Sequence, residues 1–133
     1  ILNDQLSNNK LSSFPIKLII SCDVFVYFKE LNAVFDKIHR CLAPGGIFVF
    51  STEALIITSS QADDTIDCGI IPPYELQKTG RFKHNVNYVL RVLMKRNFKV
   101  LECKEKEILR KQAGKPVYGN IFIAMKEETE NER

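Results

Sequence analysis

Several absences in this chain of 133 residues exclude whole classes of function. Its four cysteines have neither Cys-x-x-Cys nor any other metal-ligand spacing, and its two histidines form no metal-binding pattern with the acidic residues. No apolar run reaches the roughly 18 to 20 residues that a membrane span needs. The formal net charge is only +3 and the basic residues are scattered, so nothing in the charge pattern indicates a nucleic-acid partner.

A targeting signal is also missing. The first 13 residues lack the charged and apolar regions of a signal peptide, and they do not begin with methionine, so we expect the chain to be cut at its start. We interpret the cysteines as buried free thiols in a reducing compartment, at Cys22, Cys41, Cys68 and Cys103. The sequence therefore predicts a cytoplasmic protein.

What is present is the composition of a folded domain. Hydrophobic residues make up 45% of the chain and charged residues 26%, and both values are ordinary for a globular protein. The length fits one domain but is short for a complete doubly wound nucleotide-binding fold. We divide the chain into a polar tail or remnant connection over residues 1–15, a domain over residues 16–126 and a disordered tail over residues 127–133.

The clearest structural signal is a strand, a helix and a second strand in succession. Residues 16–22 form a nearly continuous apolar run, which is typical of a strand covered on both faces. In residues 29–42 apolar side chains recur every three or four positions and predict a helix, which ends at Pro44 and the two glycines after it. Residues 47–50 predict a second buried strand. This order predicts a βαβ unit with parallel neighbouring strands in an α/β fold.

The rest of the chain fits the same class of fold. Residues 54–80 have the composition of a long excursion, and such loops are usually functional covers or disordered segments. Residues 84–97 show one apolar face and predict a second helix. Residues 98–109 and 117–125 predict two strands, and the short loop around Gly114 predicts that they pair as an antiparallel hairpin at the end of the sheet.

A polar segment follows each of the two predicted parallel strands: Cys22-Asp23-Val24 after the first and Ser51-Thr52-Glu53 after the second. Because ligands bind outside the carboxyl ends of the strands in open parallel sheets, we expect these segments to converge on one site. Asp23 either lines that site or caps the following turn. Glu53 either accepts a proton from an acceptor atom or is a solvated loop acid. Tyr27 either faces an acceptor or packs in the core.

A second group of candidates follows the excursion, namely Arg81, His84 and Tyr88. His84 and Tyr88 stand four residues apart, so in a helix they share a face and can both lie over the cleft. Histidine is the usual proton carrier near neutral pH, although a lone histidine is as often structural. His39 lies beside the apolar stripe of the first helix, away from the strand ends, and we assign it no role.

These features resemble the carboxyl-terminal half of a class I S-adenosylmethionine-dependent methyltransferase. The resemblance rests on residues 18–27, on residues 50–53, and on a leucine-x-proline-glycine-glycine turn at Leu42, Pro44, Gly45 and Gly46. A narrower resemblance is to bacterial predicted methyltransferases that often carry tetratricopeptide repeats. It rests on residues 80–84 and on Tyr88, Leu109, Arg110, Gly114, Pro116, Val117 and Gly119.

The resemblance implies a Rossmann-like sheet whose last strand is antiparallel, and the transfer of a methyl group from S-adenosylmethionine to an acceptor that the sequence does not identify. It also implies that the acidic position at Asp23 lies beside the cofactor and the acceptor. Three sets of candidate residues follow: catalytic Asp23, Glu53 and His84; cofactor-binding Cys22, Asp23 and Val24; and acceptor-binding Tyr27, Arg81 and Tyr88.

Part of the resembled family's pattern is missing. Its glycine-rich turn after the first strand and its acidic residue after the second, which hold the cofactor, have no counterpart here. We therefore expect the chain as given to bind S-adenosylmethionine weakly or not at all. We also expect the strand at residues 17–22 to have an exposed apolar edge, which a partner segment or a dimer would cover. A longer parent protein and a decayed reading frame are alternative explanations.

Two other functional interpretations stay open. In the first, the chain is a non-enzymatic interaction module or a half-domain that another chain completes. In the second, the chain is a fragment of a nucleotide-dependent dehydrogenase, which has the same βαβ order; this interpretation explains Asp23 and the proline-glycine-glycine turn less well.

Overall fold

The computed structural model describes residues 15–56 and 72–128. The interpretations of residues 1–14, 57–71 and 129–133, including that of Cys68, lie outside the described residues. The described residues form a mixed α/β fold. It contains two α-helices, and neither is long and apolar enough to cross a membrane.

The predicted βαβ unit is confirmed. Strand β1 (Ile16–Ser21) leads through a short 3-10 turn (Phe25–Tyr27) into helix α1 (Asn32–Cys41), and strand β2 (Leu42–Ala54) follows directly. The two strands pair in parallel, from Leu18 opposite Ile47 to Ser21 opposite Phe50. Helix α1 stops because Leu42 is already extended, two residues before a proline that cannot continue the helical hydrogen bonds.

Strand β2 differs from the prediction at both ends. The residues around Pro44 form a bulge within β2, since the register moves from Ile16 opposite Leu42 to Leu18 opposite Ile47, and Gly45 takes the left-handed φ of +79° that this bend requires. At the other end the strand continues past Phe50 to Ala54. Glu53 therefore lies inside the sheet rather than in a loop after it.

The segment before the second helix was predicted incorrectly. Strands β3 (Tyr74–Leu76) and β4 (Phe82–His84) form a short antiparallel hairpin, and β4 pairs in parallel with the end of β2. Helix α2 (Val86–Lys95) begins only after Asn85, whose side chain accepts a hydrogen bond from the Asn87 backbone N–H at 2.9 Å and so caps the helix. The expectation that His84 and Tyr88 share a helix face is therefore wrong, because His84 belongs to β4.

The predicted terminal hairpin is confirmed. Strands β5 (Phe98–Gln112) and β6 (Lys115–Lys126) are antiparallel, and the left-handed residues Ala113 (φ +52°) and Gly114 (φ +77°) join them. Two residues with positive φ match the twist of a hairpin. The sheet order is β3-β4-β2-β6-β5, with β1 beside the first part of β2, so β6 lies between β5 and β2.

Both described helices pack on one face of the sheet. Phe48 and Phe50 of β2 and Phe122 of β6 are fully buried there, together with Phe35 of α1 and Leu93 of α2. Because side chains alternate along a strand, the residues between them point to the opposite face. We call this second surface the open sheet face; it carries Leu18, Ile20, Ile47, Val49, Ile121, Ile123 and Met125. Leu18 and Ile20 remain 54% and 62% exposed, because no described helix covers them.

Candidate functional site

The two parallel strands bring Asp23 and Glu53 to one edge of the sheet, as the sequence predicted. Asp23 has a φ of +58°, a left-handed conformation that is uncommon for residues other than glycine and that aspartate adopts more readily than most. Its backbone N–H donates a hydrogen bond to Ser51 Oγ at 3.2 Å, which ties the end of β1 to β2. Strained backbone of this kind clusters at functional sites.

Glu53 is the buried anion of this edge, with a side chain only 2% exposed. Its Oε2 accepts hydrogen bonds from Arg81 Nε at 2.8 Å and Arg110 Nη2 at 3.0 Å, and its Oε1 accepts one from Gln77 Nε2 at 3.2 Å. Burial by itself raises the pKa of Glu53, but these hydrogen bonds outweigh it and hold the pKa below its usual value. Glu53 is therefore ionised at neutral pH.

The same two arginines also bind Asp23. Its Oδ1 accepts hydrogen bonds from Arg81 Nη2 at 2.5 Å and Arg110 Nη1 at 2.7 Å, while the side chain stays 51% exposed. We call Asp23, Glu53, Arg81 and Arg110 the four-charge cluster. Glu53 in turn raises the pKa of Arg81, which therefore stays charged.

Tyr27 borders the four-charge cluster on the solvent side. Its hydroxyl accepts a hydrogen bond from Arg81 Nη1 at 3.3 Å, and the Arg81 guanidinium carbon lies 5.4 Å from the centre of its ring. The Tyr27 side chain is 64% exposed, whereas Phe25 beside it is buried. Tyr27 is therefore a surface residue of the site rather than part of the core. Cys22 and Val24 are exposed on either side of Asp23.

The structure joins four of the predicted site residues and adds others that the sequence did not reveal. Asp23, Glu53, Tyr27 and Arg81 are in direct contact. Three further residues complete their hydrogen bonds: Ser51, which belongs to one of the predicted polar segments, and Gln77 and Arg110, which the sequence analysis did not place in the site. Arg110 is one of many charged residues in β5, most of which are exposed, so its position in the sequence does not distinguish it from the others. The only sequence signal for it was its place in the narrower family resemblance.

His84 and Tyr88 form a separate internal cluster. The fully buried His84 has Nε2 3.3 Å from the Lys29 carbonyl oxygen, and Tyr88 Oη accepts a hydrogen bond from the Leu31 N–H at 3.0 Å. Their rings stack at 6.2 Å, and the Tyr74 ring meets both rings at steep angles. Burial lowers the pKa of His84 and raises that of Tyr88, so both are neutral at pH 7. They hold the segment between the 3-10 turn and α1.

Metal chemistry has no visible support in the described part of the chain, where no three His, Cys, Asp or Glu residues stand together as ligands. The described cysteines, Cys22, Cys41 and Cys103, are free thiols. Cys22 is exposed and the other two are half-buried, so the prediction of a buried thiol is wrong for Cys22, which lies past the end of β1.

Comparison with known proteins gives the fold a context. A methyltransferase domain family matches residues 10–50, less than half of the chain, and no curated protein matches. Among solved structures, an S-adenosylmethionine-dependent methyltransferase from Methanosarcina mazei has a TM-score of 0.62 at 16% identity, over 85% of this chain and 60% of that one. This chain has a methyltransferase fold.

Other methyltransferase structures agree. A putative methyltransferase from Listeria monocytogenes has a TM-score of 0.57 at 15% identity, with 86% of this chain and 62% of that one covered. Magnesium protoporphyrin IX methyltransferase from Synechocystis PCC 6803, with bound SAH, has a TM-score of 0.54 at 14% identity, over 84% and 45%. The chain thus spans less than two thirds of the length of each, and the likeness establishes the methyltransferase fold rather than the activity.

Proposed function

We propose that this chain forms the acceptor side of an S-adenosylmethionine-dependent methyltransferase, with an acceptor that is not identified. The observation that carries the proposal is Asp23, a half-exposed carboxylate with a left-handed backbone at the carboxyl end of β1, which pairs in parallel with β2. Ligands of open parallel sheets bind at that edge. The methyltransferase fold makes S-adenosylmethionine the cofactor to test, since similar structures hold SAM or SAH.

The residues at this edge fit part of such a cofactor. Cys22, Asp23 and Val24 are exposed side by side, and Asp23 Oδ2 makes no hydrogen bond within the described residues, so it can accept one from a ligand. Gly45 and Gly46 lie at the opposite end of β2 and cannot approach it. We therefore propose that this chain by itself binds the cofactor weakly or not at all. When bound, the cofactor supplies an electrophilic methyl group on a sulfonium.

Glu53, Asp23 and His84 have different proposed roles in the site. Glu53 orients Arg81 and Arg110, and its lowered pKa makes it a weaker base than an ordinary glutamate. Asp23 is the half-exposed carboxylate that we propose to lie beside the cofactor and the acceptor. His84 acts as a positioning residue, because its ring contacts the Lys29 backbone carbonyl behind the four-charge cluster and does not contact the cluster itself.

An NMR titration tests the proposal on the 133-residue chain. SAH is added up to millimolar concentration while the backbone amide signals are followed, with adenosine as the control ligand. We expect non-saturating shifts centred on the amides of residues 22–24, reduced in Asp23→Asn. Shifts confined to other surfaces contradict the proposed site. Saturable micromolar binding contradicts the proposal that this chain by itself binds weakly.

The finer parts of the interpretation belong to the same proposal. We propose that the chain is the carboxyl-terminal half of its domain, that it belongs with the bacterial methyltransferases carrying tetratricopeptide repeats, and that it is cytoplasmic. The narrower family is supported by contacts among residues of its motif, since Arg81 and Arg110 share Glu53. Its free thiols favour a reducing compartment.

A second candidate function is a half-domain that another polypeptide completes, and the open sheet face favours it. Among the described residues β1 pairs only with β2, so its other edge offers unpaired backbone groups, and the face beside it offers exposed Leu18 and Ile20. A second copy of this chain cannot cover both the edge of β1 and the open sheet face. Pairing at the edge places two sheets side by side, whereas stacking on the face places them face to face. We propose a partner with one apolar strand and one amphipathic helix, which covers the edge and the face together.

Light scattering tests this second candidate with the polypeptide encoded immediately upstream of Ile1, if there is one, as the first partner tried. We expect a one-to-one complex that Ile20→Lys abolishes. Met94→Lys is the matched control, because Met94 is 70% exposed on α2, away from the open sheet face. A chain that stays monomeric, melts cooperatively and binds no such segment argues against an obligate partner.

A further inference from the structure

We infer that Arg81 and Arg110 form a binding site for an oxyanion of the acceptor, a carboxylate or phosphate group, which Asp23 occupies as a resident counter-ion. This inference rests on the proposed methyl transfer and names the chemical class of its acceptor. Two guanidinium groups from different strands converge here on one carboxylate oxygen, at 2.5 and 2.7 Å. A guanidinium group presents a planar fork of N–H donors that can bind two oxygens of a carboxylate or a phosphate group.

The two carboxylates of the four-charge cluster differ in how readily they can be displaced. Glu53 is 2% exposed and accepts hydrogen bonds at both oxygens, so moving it would strand a buried charge. Asp23 is 51% exposed and holds the arginines through one oxygen only. The Asp23 side chain can rotate toward the solvent at little cost, because half of it is already exposed to water. Glu53 then still fixes Arg81 and Arg110 in place for an incoming anion.

A ligand oxyanion can accept hydrogen bonds from guanidinium N–H groups that do not donate to Asp23. Arg110 donates through Nη1 and Nη2 to the cluster, and no described residue accepts from its Nε. A carboxylate or phosphate presents two or more oxygens and can give each guanidinium group its own acceptor, whereas Arg81 and Arg110 now share a single oxygen of Asp23. The exchange therefore keeps the charge balance of the cluster and adds hydrogen bonds.

Tyr27 supplies a surface for the rest of the ligand. Its ring is 64% exposed and lies against the Arg81 guanidinium, so a planar or apolar body attached to the oxyanion can pack on it. The acceptor class that follows is an anionic molecule with a planar or apolar group close to its carboxylate or phosphate.

The test measures binding of benzoate and of phenyl phosphate to the full 133-residue chain by calorimetry or NMR, with benzamide as the neutral control. We expect at least one anion to bind and benzamide not to bind, and the comparison of the two anions shows which oxyanion the site prefers. Arg110→Gln should weaken binding about tenfold or more, and Arg110→Lys should weaken it less, because charge remains but the fork is lost. Arg40→Gln, at a 75% exposed arginine on α1, should change binding less than about twofold.

Asp23→Asn separates this inference from the opposite assignment. If Asp23 is a resident counter-ion, the variant should bind the anion about threefold tighter or more, because its competitor is gone. Weaker binding in this variant, unchanged binding in Arg110→Gln when its melting curve is native, or no anion binding at all overturns the inference. Because the cofactor is absent from the experiment, such a failure leaves the SAH titration as the separate test of the proposed cofactor site.

Discussion

Replacing Glu53 by glutamine tests the energetics of the four-charge cluster most directly. The substitution keeps the size of the side chain but removes the negative charge that Arg81 and Arg110 share. A glutamine amide also places N–H donors where the glutamate offered only acceptors. Arg81 and Arg110 both donate to Oε2, so they keep an acceptor only if the amide oxygen takes that place, and the amide N–H donors then face the donor Gln77 Nε2. The remaining anion of the cluster is the half-exposed Asp23.

The expected loss follows from burial. Removing one partner of a buried ion pair costs about 3–5 kcal/mol, because the other charge stays buried without compensation. The side chains of Arg81 and Arg110 are 16% and 25% exposed, so water reaches both guanidinium groups. We therefore expect Glu53→Gln to lower the free energy of unfolding by about 2–3 kcal/mol at pH 7.

Urea denaturation followed by circular dichroism measures this loss. With a typical slope of about 1–3 kcal/mol per molar urea, the midpoint should fall by about 1 M or more. Glu102→Gln is the control, because Glu102 is 51% exposed and its ion pair with Lys104 is 3.9 Å long. That variant should stay within about 0.5 kcal/mol of the wild type.

The pH dependence gives a second, independent check. The pKa of Glu53 in the folded chain lies below its usual value of 4.5. Its stabilisation is therefore fully present above about pH 5 and is lost as the pH falls through the folded-state pKa. The gap between the wild type and Glu53→Gln should shrink across that range. A gap below about 0.5 kcal/mol at pH 7, or one that stays constant down to pH 3, would refute the reasoning.

Three further predictions concern the scaffold. The NMR signals of the His84 ring should titrate below pH 6.5, because burial lowers its pKa, and stability attributable to His84 should fall as the pH drops below 6.5; a midpoint at or above 6.5 contradicts this. Gly119→Ala should lower the free energy of unfolding by about 2–4 kcal/mol in urea denaturation, since the new Cβ would lie 2.4 Å from the Thr52 carbonyl oxygen; a neutral effect would disprove the close approach. Ala113→Asn should raise it by about 0.5–1 kcal/mol in the same assay, because asparagine tolerates the φ of +52° better; a loss of stability counts against the turn.

Much of the fold could be predicted because its signals are local. The apolar period of α1, the apolar run of β1 and the proline after the helix lie within a few residues of each other, and they predicted a parallel pair that the structure contains. The β3–β4 hairpin was missed because each strand has only three residues, too few to show a period. The start of α2 was placed too early, because the capping hydrogen bond of Asn85 depends on geometry that spacing does not reveal.

The candidate site shows the same division between local and long-range information. Alone, the sequence placed Asp23 and Glu53 at one edge, because parallel strands align their carboxyl ends. Only the tertiary structure decided that Glu53 is buried between two arginines, that Asp23 shares those arginines while half-exposed, and that Arg110 belongs to the site. Arg110 lies 87 residues from Asp23 along the chain, and the antiparallel β5–β6 hairpin carries it back to the edge of the sheet. Such contacts depend on strand register and burial, which are properties of the folded chain as a whole.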